Sequence, residues 1–413
     1  MLRRINPLII QSVLFVLTIF TTTLAGAHWV GVYKDNDSFW AFFSRGFEYS
    51  IPFLGILTIH ELGHYFTAKY YKVDVTLPYY IPFYLPGMTL LGTMGAFIKM
   101  NSRSASKKEI FDIGVAGPLA GFFAALIVLT YGFLNLPEPT HIYSVHPEYQ
   151  KYGLHYADSV YTNKFQHEQL LKEVAKISDP EEKQKALEIV KEHADEPSYV
   201  LAVGNNLLFS FFENYIVQDK TRIPNAYELY HYPYIFAGFL ALFFTALNLI
   251  PIGQLDGGHV MYGLLGYKKH KIISTTLFVL YIFVAGLGIF KDNIMDTDFF
   301  SAPFEHMVLF AVVYLWFLYF ILERVFVERK TIFMIAVIIF ALQFFAGYLF
   351  PDFTGFPGWM LFGVLLGRMI GTEHPPAFVE EPLDTKRKLI GWFALLIFVL
   401  CFTPKLISME VLS

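Results

Sequence analysis

The sequence is poor in cysteine and in charged residues. Its single cysteine, Cys401, lies in an apolar run, which excludes a disulfide within these 413 residues and excludes a thiolate metal cluster. Charged residues make up 16% of the chain and the formal net charge is only -4. No basic run is interleaved with aromatic residues, so nothing indicates a nucleic-acid partner. Any metal site must therefore use histidine, aspartate or glutamate.

Apolar residues are abundant instead. They make up 55% of the chain and the mean hydropathy is +0.46, both above what a soluble domain of this size carries. Apolar runs near the roughly 20 residues that a spanning helix needs occur at 7–30, 47–70, 111–134, 234–250, 272–290, 304–325, 331–350, 359–370 and 389–407. The run at 359–370 is short for a span. The sequence therefore predicts an all-α polytopic membrane protein with about eight to nine transmembrane helices.

The lysine and arginine residues predict the orientation of the chain. We assume that successive spans cross the membrane in opposite directions. Most positive residues of the short loops then fall on the side of the amino terminus, including Arg3, Arg4, Lys107 and Lys108. Such residues favour the cytoplasmic side, so we expect a cytoplasmic amino terminus. Residues 7–30 are long for a signal peptide and are expected to remain as a first helix. The absence of a serine- and arginine-rich transit peptide favours a bacterial plasma membrane over an organelle.

Three ionisable residues, His60, Glu61 and His64, interrupt the apolar run at 47–70. Ionisable side chains at membrane depth are unfavourable by several kcal/mol, so they indicate function. Residues four apart lie on one face of a helix, and His60 and His64 can therefore present two imidazoles to one metal ion. Glu61 has the position of the general base in a zinc protease, where the ion lowers the pKa of a water molecule to about 7.

A second polar segment interrupts the run at 234–250. It begins at Asn248 and reads Asn-Leu-Ile-Pro-Ile-Gly-Gln-Leu-Asp-Gly-Gly-His. Pro251 and Gly253 are predicted to unwind the helix, which is tolerated at membrane depth only where the freed backbone is buried or lines a cavity. If successive spans cross the membrane in opposite directions, this segment lies on the same side of the membrane as the end of the histidine helix. Asp256 would then complete a site of two imidazoles and one carboxylate, with a fourth position for water.

The segment 73–100 is predicted not to be helical. It contains Pro78, Pro82, Pro86 and Gly87 among alternating apolar residues, a pattern that indicates a membrane-associated β-hairpin or a re-entrant loop. The segment directly follows the histidine helix, so it could cover the site or pair with an extended substrate strand. A merely interfacial loop is the alternative.

A polar insertion is predicted from about residue 137 to 232, on the outer side of the membrane. A soluble helix rich in glutamate and lysine is expected at 165–193. The insertion is expected to cap or gate the membrane part. Its histidines are scattered without ligand spacing and are interpreted as ordinary surface residues: His141, His146, His155, His167 and His193.

Three motifs occur in order along the chain. They are residues 60–64, the Gly-Val-Ala-Gly-Pro-Leu-Ala-Gly stretch at 114–121, and residues 248–258 with their Leu-Asp-Gly-Gly ending. Together they resemble the site-2 proteases, peptidase family M50, which are intramembrane zinc metalloproteases. The proline-rich loop, the long insertion and Glu-His-Pro-Pro at 373–376 further resemble the branch that includes chloroplast and bacterial homologues without an obvious PDZ domain.

The resemblance implies roles for individual residues. His60, His64 and Asp256 would bind one zinc ion per chain, and Glu61 would be the catalytic base. Asn248 matches an asparagine that helps to position the substrate, although it could instead hold the broken helix by a hydrogen bond. The implied activity is regulated intramembrane proteolysis, the cleavage of transmembrane segments, with a single-span membrane protein as substrate. The assignment of the metal as zinc rests on the resemblance, because this donor set would also accept cobalt or manganese.

Other polar and small residues are given structural interpretations. Gly117 and Gly121 are expected to allow close helix packing, with room for the substrate as the alternative. His259 is expected to support the site from outside the ligand set, and the role of His374 is open. A metal transporter or sensor is the rival interpretation, but transport predicts repeats and scattered intramembrane ligands, whereas here the polar residues converge on one three-donor set.

These features predict how the chain is organised. The expected segments are a first transmembrane helix and outer loop (1–46), a catalytic core with the histidine helix, hairpin and third span (47–135), the polar insertion (136–232), a catalytic span with the Leu-Asp-Gly-Gly motif (233–266) and carboxyl-terminal transmembrane helices (267–413).

Overall fold

A computed structural model of the chain describes residues 6–31, 38–85, 91–101, 106–193, 196–290, 303–350, 355–356 and 358–412. The helices are α1 (Pro7–Val30), α2 (Phe39–Arg45), α3 (Phe47–Tyr70), α4 (Lys107–Leu134), α5 (Ala157–Val160), α6 (Asn163–Lys176), α7 (Pro180–Glu192), α8 (Leu207–Phe211), α9 (Pro233–Asn248), α10 (Asp256–Leu265), α11 (Tyr267–Ala285), α12 (Phe304–Leu322), α13 (Arg329–Leu349), α14 (Gly358–Val364) and α15 (Thr385–Cys401). The strands are β1 (Tyr79–Pro82), β2 (Thr93–Phe97), β3 (Tyr199–Val203) and β4 (Ile407–Val411). Arg3, Arg4, Pro86 and Gly87, which entered the sequence predictions, lie outside the described residues.

Four helices of the described chain, α1, α4, α12 and α13, are long and apolar enough to cross a membrane. The expected helical membrane protein is thereby confirmed, while the larger number of eight to nine spans stays a prediction. Two causes separate the other helices from these four. The ionisable residues of α3 lower its hydropathy, and α9 ends after 16 residues, where its apolar sequence gives way to the polar segment.

Helix α4 is the centre of the segment that the sequence predicts as the catalytic core. It packs against α3, α9 and α10, and its side chains Phe111, Ala125 and Leu129 are completely buried. Ser106 and Glu109 form a capping box that starts α4 four residues before the predicted apolar run. A second hydrophobic cluster holds α11 to α14 together and includes Phe243 of α9. The packing therefore leaves α3, α4, α9 and α10 as one unit around the polar residues.

The expected hairpin is confirmed over the described residues. Strands β1 and β2 are antiparallel, with Tyr79 opposite Phe97. Helix α1 packs along β1, and the Thr21 hydroxyl donates to the Gly92 carbonyl over 2.7 Å. Strand β2 also contacts α3. The hairpin therefore packs against both the first helix and the histidine helix.

Two boundaries differ from the sequence prediction. The helix expected at 165–193 is two helices, because Pro180 begins α7 and Asp179 caps it by accepting from the backbone of Glu181 and Glu182. The last span was expected to continue to residue 407, but α15 ends at Cys401 and the chain then forms β4, which pairs with β3 of the insertion. The carboxyl-terminal segment is thus tied to the insertion.

Candidate metal centre

The histidine helix α3 turns three ionisable side chains into the protein rather than towards its surface. His60, Glu61 and His64 are between 5% and 7% exposed. Their rings and carboxylate lie among α4, α9, α10 and the hairpin. The prediction that the two histidines lie on one face of the helix is confirmed, because their Nε2 atoms are 3.1 Å apart.

Small residues on α4 make room for these rings. A Cβ atom added at Gly117 would come within 2.1 Å of the His64 Nε2 atom, and one added at Gly121 would come within 3.1 Å of the His60 ring. In the other direction, a Cβ at Gly63 would meet the Ala116 carbonyl at 2.7 Å. The packing interpretation of Gly117 and Gly121 is therefore confirmed, since the space that they leave is occupied by the histidine rings. Each glycine lies against one of the two imidazoles.

The break between α9 and α10 brings in the third donor. Helix α9 ends at Asn248 and α10 starts at Asp256, so the chain is not helical around Pro251 and Gly253, as the sequence predicts. Gly253 has a φ of +59°, a conformation that favours glycine, and its N–H donates to the Ser274 hydroxyl over 2.9 Å. Helix α11 therefore supports the unwound backbone and fixes the position of Asp256.

The three donors point at one place. The Asp256 Oδ2 atom lies 3.4 Å from His60 Nε2 and 3.2 Å from His64 Nε2. Zinc bonds of about 2.0–2.1 Å in a tetrahedron give donor separations of about 3.3 Å. His64 Nδ1 donates to the Ile113 carbonyl over 2.7 Å, which leaves Nε2 for a metal, the usual arrangement behind a metal-binding histidine. The residues present therefore fit a zinc ion held by two imidazoles and one carboxylate. We call this set the inner group.

Glu61 lies beside the inner group without belonging to it. The backbone of Ile98, directly after β2, lies close to the Glu61 carboxylate. The hairpin therefore borders the residue that the sequence predicts as the base. A position over the site was one of the alternatives predicted for this segment, and no sequence pattern predicted the register of the contact.

Asn248 and the hairpin border the same cavity. The Asn248 amide nitrogen lies 3.5 Å from His60 Nε2. An apolar cavity between α3, α4, α9 and the hairpin is lined by both residues together with Phe53, Gly95 and Phe244. The inner group is therefore reached from a cavity whose wall includes the hairpin.

His259 and His374 form a pair behind the inner group. His259 Nδ1 donates to His374 Nε2 over 2.7 Å, and the ring of His374 stacks on Tyr262 with 4.1 Å between centroids. A Cβ at Gly114 would meet the Cβ of His259 at 2.5 Å, which places this side chain against α4. The expectation that His259 supports the site from outside the ligand set fits this arrangement. The partner role of His374 was not foreseen, since 115 residues separate the two histidines.

A second set of possible metal donors lies outside the helices that could cross the membrane. It consists of His146, Glu228 and His231, and we call it the loop group. His146 is half-buried and paired, so its interpretation as an ordinary surface residue is wrong. The spacing of three between Glu228 and His231 was a weak signal, but the sequence does not show that residue 146 joins them.

Comparison with known proteins places these motifs in a family. The model of peptidase family M50 matches residues 48–287, which include all four residues predicted for catalysis and metal binding. A rice protein (Oryza sativa subsp. japonica), "Probable zinc metalloprotease EGY1, chloroplastic", is 27% identical over 213 residues, 52% of this chain and 27% of the rice protein. The Arabidopsis thaliana protein of the same name is 25% identical over 246 residues, 58% of this chain and 33% of the relative.

The same part of the family includes further chloroplast proteins. "Probable zinc metalloprotease EGY2, chloroplastic" from Oryza sativa subsp. indica is 22% identical over 220 residues, 53% of this chain and 29% of the relative. The matched part of this chain thus spans at most a third of these relatives' own length. No solved structure matches the chain. The zinc that the resemblance implies agrees with the names of the relatives and with the inner group. Because the family model covers more than half of the 413 residues, the chain belongs to peptidase family M50.

Proposed function

We propose that the protein is an intramembrane zinc metalloendopeptidase that cleaves transmembrane segments of single-span membrane proteins. The observation that carries this proposal is the buried inner group with Glu61 beside it, enclosed by the helices of a membrane protein. Buried ionisable residues in such a setting are retained for function. A transport or sensing role would need the donors but would not need an additional carboxylate beside them.

The side chains have distinct tasks in this proposal. His60, His64 and Asp256 hold the zinc, which when bound polarises the scissile carbonyl and lowers the pKa of a water molecule. Glu61 accepts the proton of the attacking water and delivers it to the nitrogen of the leaving amine. The Asn248 amide, next to His60 at the cavity wall, donates to the substrate carbonyl oxygen.

The substrate must be extended at the scissile bond. In an intact helix the carbonyl is occupied by a backbone hydrogen bond, so the helix has to unwind locally. Strand β2 pairs with β1 on one edge and has no strand partner on its other edge within the described residues. Strand β2 also contacts α3, and Ile98, the residue after β2, lies close to the Glu61 carboxylate. We propose that the unwound substrate adds as a strand to β2, which sets its register at the site.

The orientation is part of the proposal. The lysine and arginine distribution supports a cytoplasmic amino terminus and an inner group nearer the cytoplasmic side. The relatives are named as chloroplast proteins, and these names give no support to a bacterial plasma membrane, which stays a prediction. Labelling of single cysteines placed in 137–160 and in 267–271 with a membrane-impermeant reagent tests the orientation, since the two segments should label from opposite sides.

Metal content and cleavage, measured on the same samples, test the activity. The purified protein in detergent is compared with Glu61→Gln and Asp256→Ala, using a single-span reporter as substrate. We expect wild type to cleave, Glu61→Gln to retain the inner zinc with cleavage reduced about 10²- to 10⁴-fold, and Asp256→Ala to lose one zinc and all cleavage. Glu48→Gln, an exposed change on the same helix, is the matched control and should behave as wild type. Unchanged cleavage by Glu61→Gln would disprove the assigned base.

A further inference from the structure

The loop group joins three parts of the chain that are distant in sequence. His146 comes from the insertion, between two turns of 3-10 helix, Pro139–Ser144 and Pro147–His155. Glu228 and His231 lie just before α9. The His231 Nδ1 atom donates to the Trp29 carbonyl at the end of α1 over 2.8 Å. Any ion bound here would therefore connect the beginning of the insertion with its last residues before α9, which are tied to the end of α1.

The donor separations match those of the inner group. His146 Nε2 and His231 Nε2 are 3.3 Å apart, and the Glu228 Oε2 atom lies 3.5 Å from the first and 3.3 Å from the second. Tetrahedral zinc with bonds of about 2.0–2.1 Å requires donor separations of about 3.3 Å. Three donor atoms at nearly equal distances from one another leave one central position for a cation.

The lone pairs of the three donor atoms in the loop group require a positively charged partner. His231 Nδ1 donates to the Trp29 carbonyl, which leaves Nε2 of the same ring facing Oε2 of Glu228 at 3.3 Å. Glu228 is 2% exposed, and its Oε2 atom has no hydrogen-bond partner in the described part of the chain, while Oε1 accepts from the Tyr161 hydroxyl. A buried acceptor without a partner is unfavourable, and a cation between the three atoms would remove the cost.

The backbone next to His231 is shaped for this ring. Gly31, which ends α1, has a φ of +74°. A Cβ atom at this position would lie 2.6 Å from Cε1 and 2.7 Å from Nδ1 of His231. Only glycine therefore combines this turn with the close approach of the imidazole.

We infer that His146, Glu228 and His231 bind a divalent transition-metal ion, with zinc the best match for two imidazoles and one carboxylate. The His146 side chain is 29% exposed, which gives the ion a path of entry and leaves room for a water ligand. The site fastens the beginning of the insertion to its last residues before α9 and, through His231, to the end of α1. It is separate from the inner group and does not depend on the proposed proteolysis.

A proton is the competing occupant. Burial alone would lower the pKa of His146, but the hydrogen bonds and charges of Glu228 and Glu148 outweigh burial and raise it. A protonated His146 could pair with Glu228 as a simple ion pair. The two occupants differ in what they predict for the metal content of the protein.

Zinc stoichiometry and affinity distinguish these occupants. The purified full chain in detergent is loaded with zinc, passed through a desalting column, and analysed for metal and protein. We expect two zinc ions per chain in wild type and one in Asp256→Ala. Titration of metal-free Asp256→Ala with Co²⁺ should then give the visible absorption of a tetrahedral cobalt site, which reports the loop group alone.

Two variants on different segments guard against a folding defect. In the Asp256→Ala background, His146→Ala and Glu228→Gln should each weaken zinc binding by at least about 100-fold, because even the loss of an outer partner of a ligand costs 10- to 100-fold. His155→Ala, an exposed histidine of the same insertion, is the matched control and should bind as its parent. One zinc per chain in wild type and none in Asp256→Ala would show that the loop group holds a proton and would overturn the inference.

Discussion

The inner group and the loop group have nearly the same donors and separations but different surroundings. In the inner group, Glu61 lies next to the donors and a cavity reaches His60 and Asn248. In the loop group, the neighbouring polar atoms are occupied. Tyr161 donates to the second oxygen of Glu228, and Glu148 lies 3.4 Å from the second nitrogen of His146. Three donors are enough to hold an ion, whereas catalysis also requires a base and room for a substrate.

The two groups also differ in what fixes them. The inner donors lie on α3 and on the first turn of α10, and the helices are held by contacts with glycines of α4. The loop donors lie on turns, and the position of His231 depends on hydrogen bonds to backbone atoms at the end of α1. Regular elements hold a site more precisely than loops do. We therefore expect substitutions around the inner group to affect turnover, and those around the loop group to affect metal retention and stability.

The largest expected effect that separates the groups is at Asn248. Asn248→Ala should lower kcat/KM about 10²- to 10³-fold, the usual loss on removing one donor to the developing oxyanion. The zinc content should stay that of wild type, because Asn248 is not one of the donors. Asn135→Ala, an exposed asparagine at the end of α4, is the control and should leave turnover unchanged. Zinc loss in Asn248→Ala would instead assign the residue to holding the broken helix.

The next largest effect is expected at Gly117, which lies against the His64 ring. Gly117→Ala would place a Cβ within 2.1 Å of the His64 Nε2 atom, so the ring must move. Overpacking of this kind costs about 1–3 kcal/mol, which corresponds to about 5- to 150-fold weaker zinc binding at the inner group. Gly55→Ala, a helix glycine whose Cβ would meet nothing within 4 Å, is the matched control. Zinc affinity measured by competition with a chelator compares the two variants, and equal affinities would show that the ring has space to shift.

Local sequence patterns predicted the inner group well. The apolar run at 47–70 coincides with α3, and its histidine spacing defines a helix face whatever the rest of the fold is. Pro251 and Gly253 break the helix by their own backbone preferences, so the place of Asp256 followed from the sequence as well. The glycines on α4 were assigned to packing without a partner, because a glycine shows that something approaches closely and not which residue it is.

Contacts between distant segments were not predicted. His146 and His231 are 85 residues apart, and β4 at the end of the chain pairs with β3 in the insertion. The pairing of His259 with His374 joins α10 to a segment beyond α14. No local pattern encodes these contacts, since they depend on how the helices close around α4. The loop group was missed for this reason, and because its residues look in the sequence like those of any surface loop.

The smallest expected effect tests the loop group through its backbone. Gly31→Ala would bring a Cβ within 2.6 Å of the His231 ring, and it would also strain a residue with a φ of +74°. Gly31→Ala in a His231→Ala background keeps this strain but removes the ring, so the difference between the effects of Gly31→Ala in the two backgrounds isolates the contact with the ring. We expect Gly31→Ala to lose about 1–3 kcal/mol more stability in the wild-type background than in His231→Ala and to bind zinc more weakly at the loop group, with cleavage of the reporter retained because the inner donors are untouched. Thermal unfolding with and without added zinc measures the first effect. If zinc raised the unfolding temperature equally in wild type and in Gly31→Ala, the loop group would not be the site that zinc stabilises, and the resemblance of its geometry to the inner group would have no functional meaning.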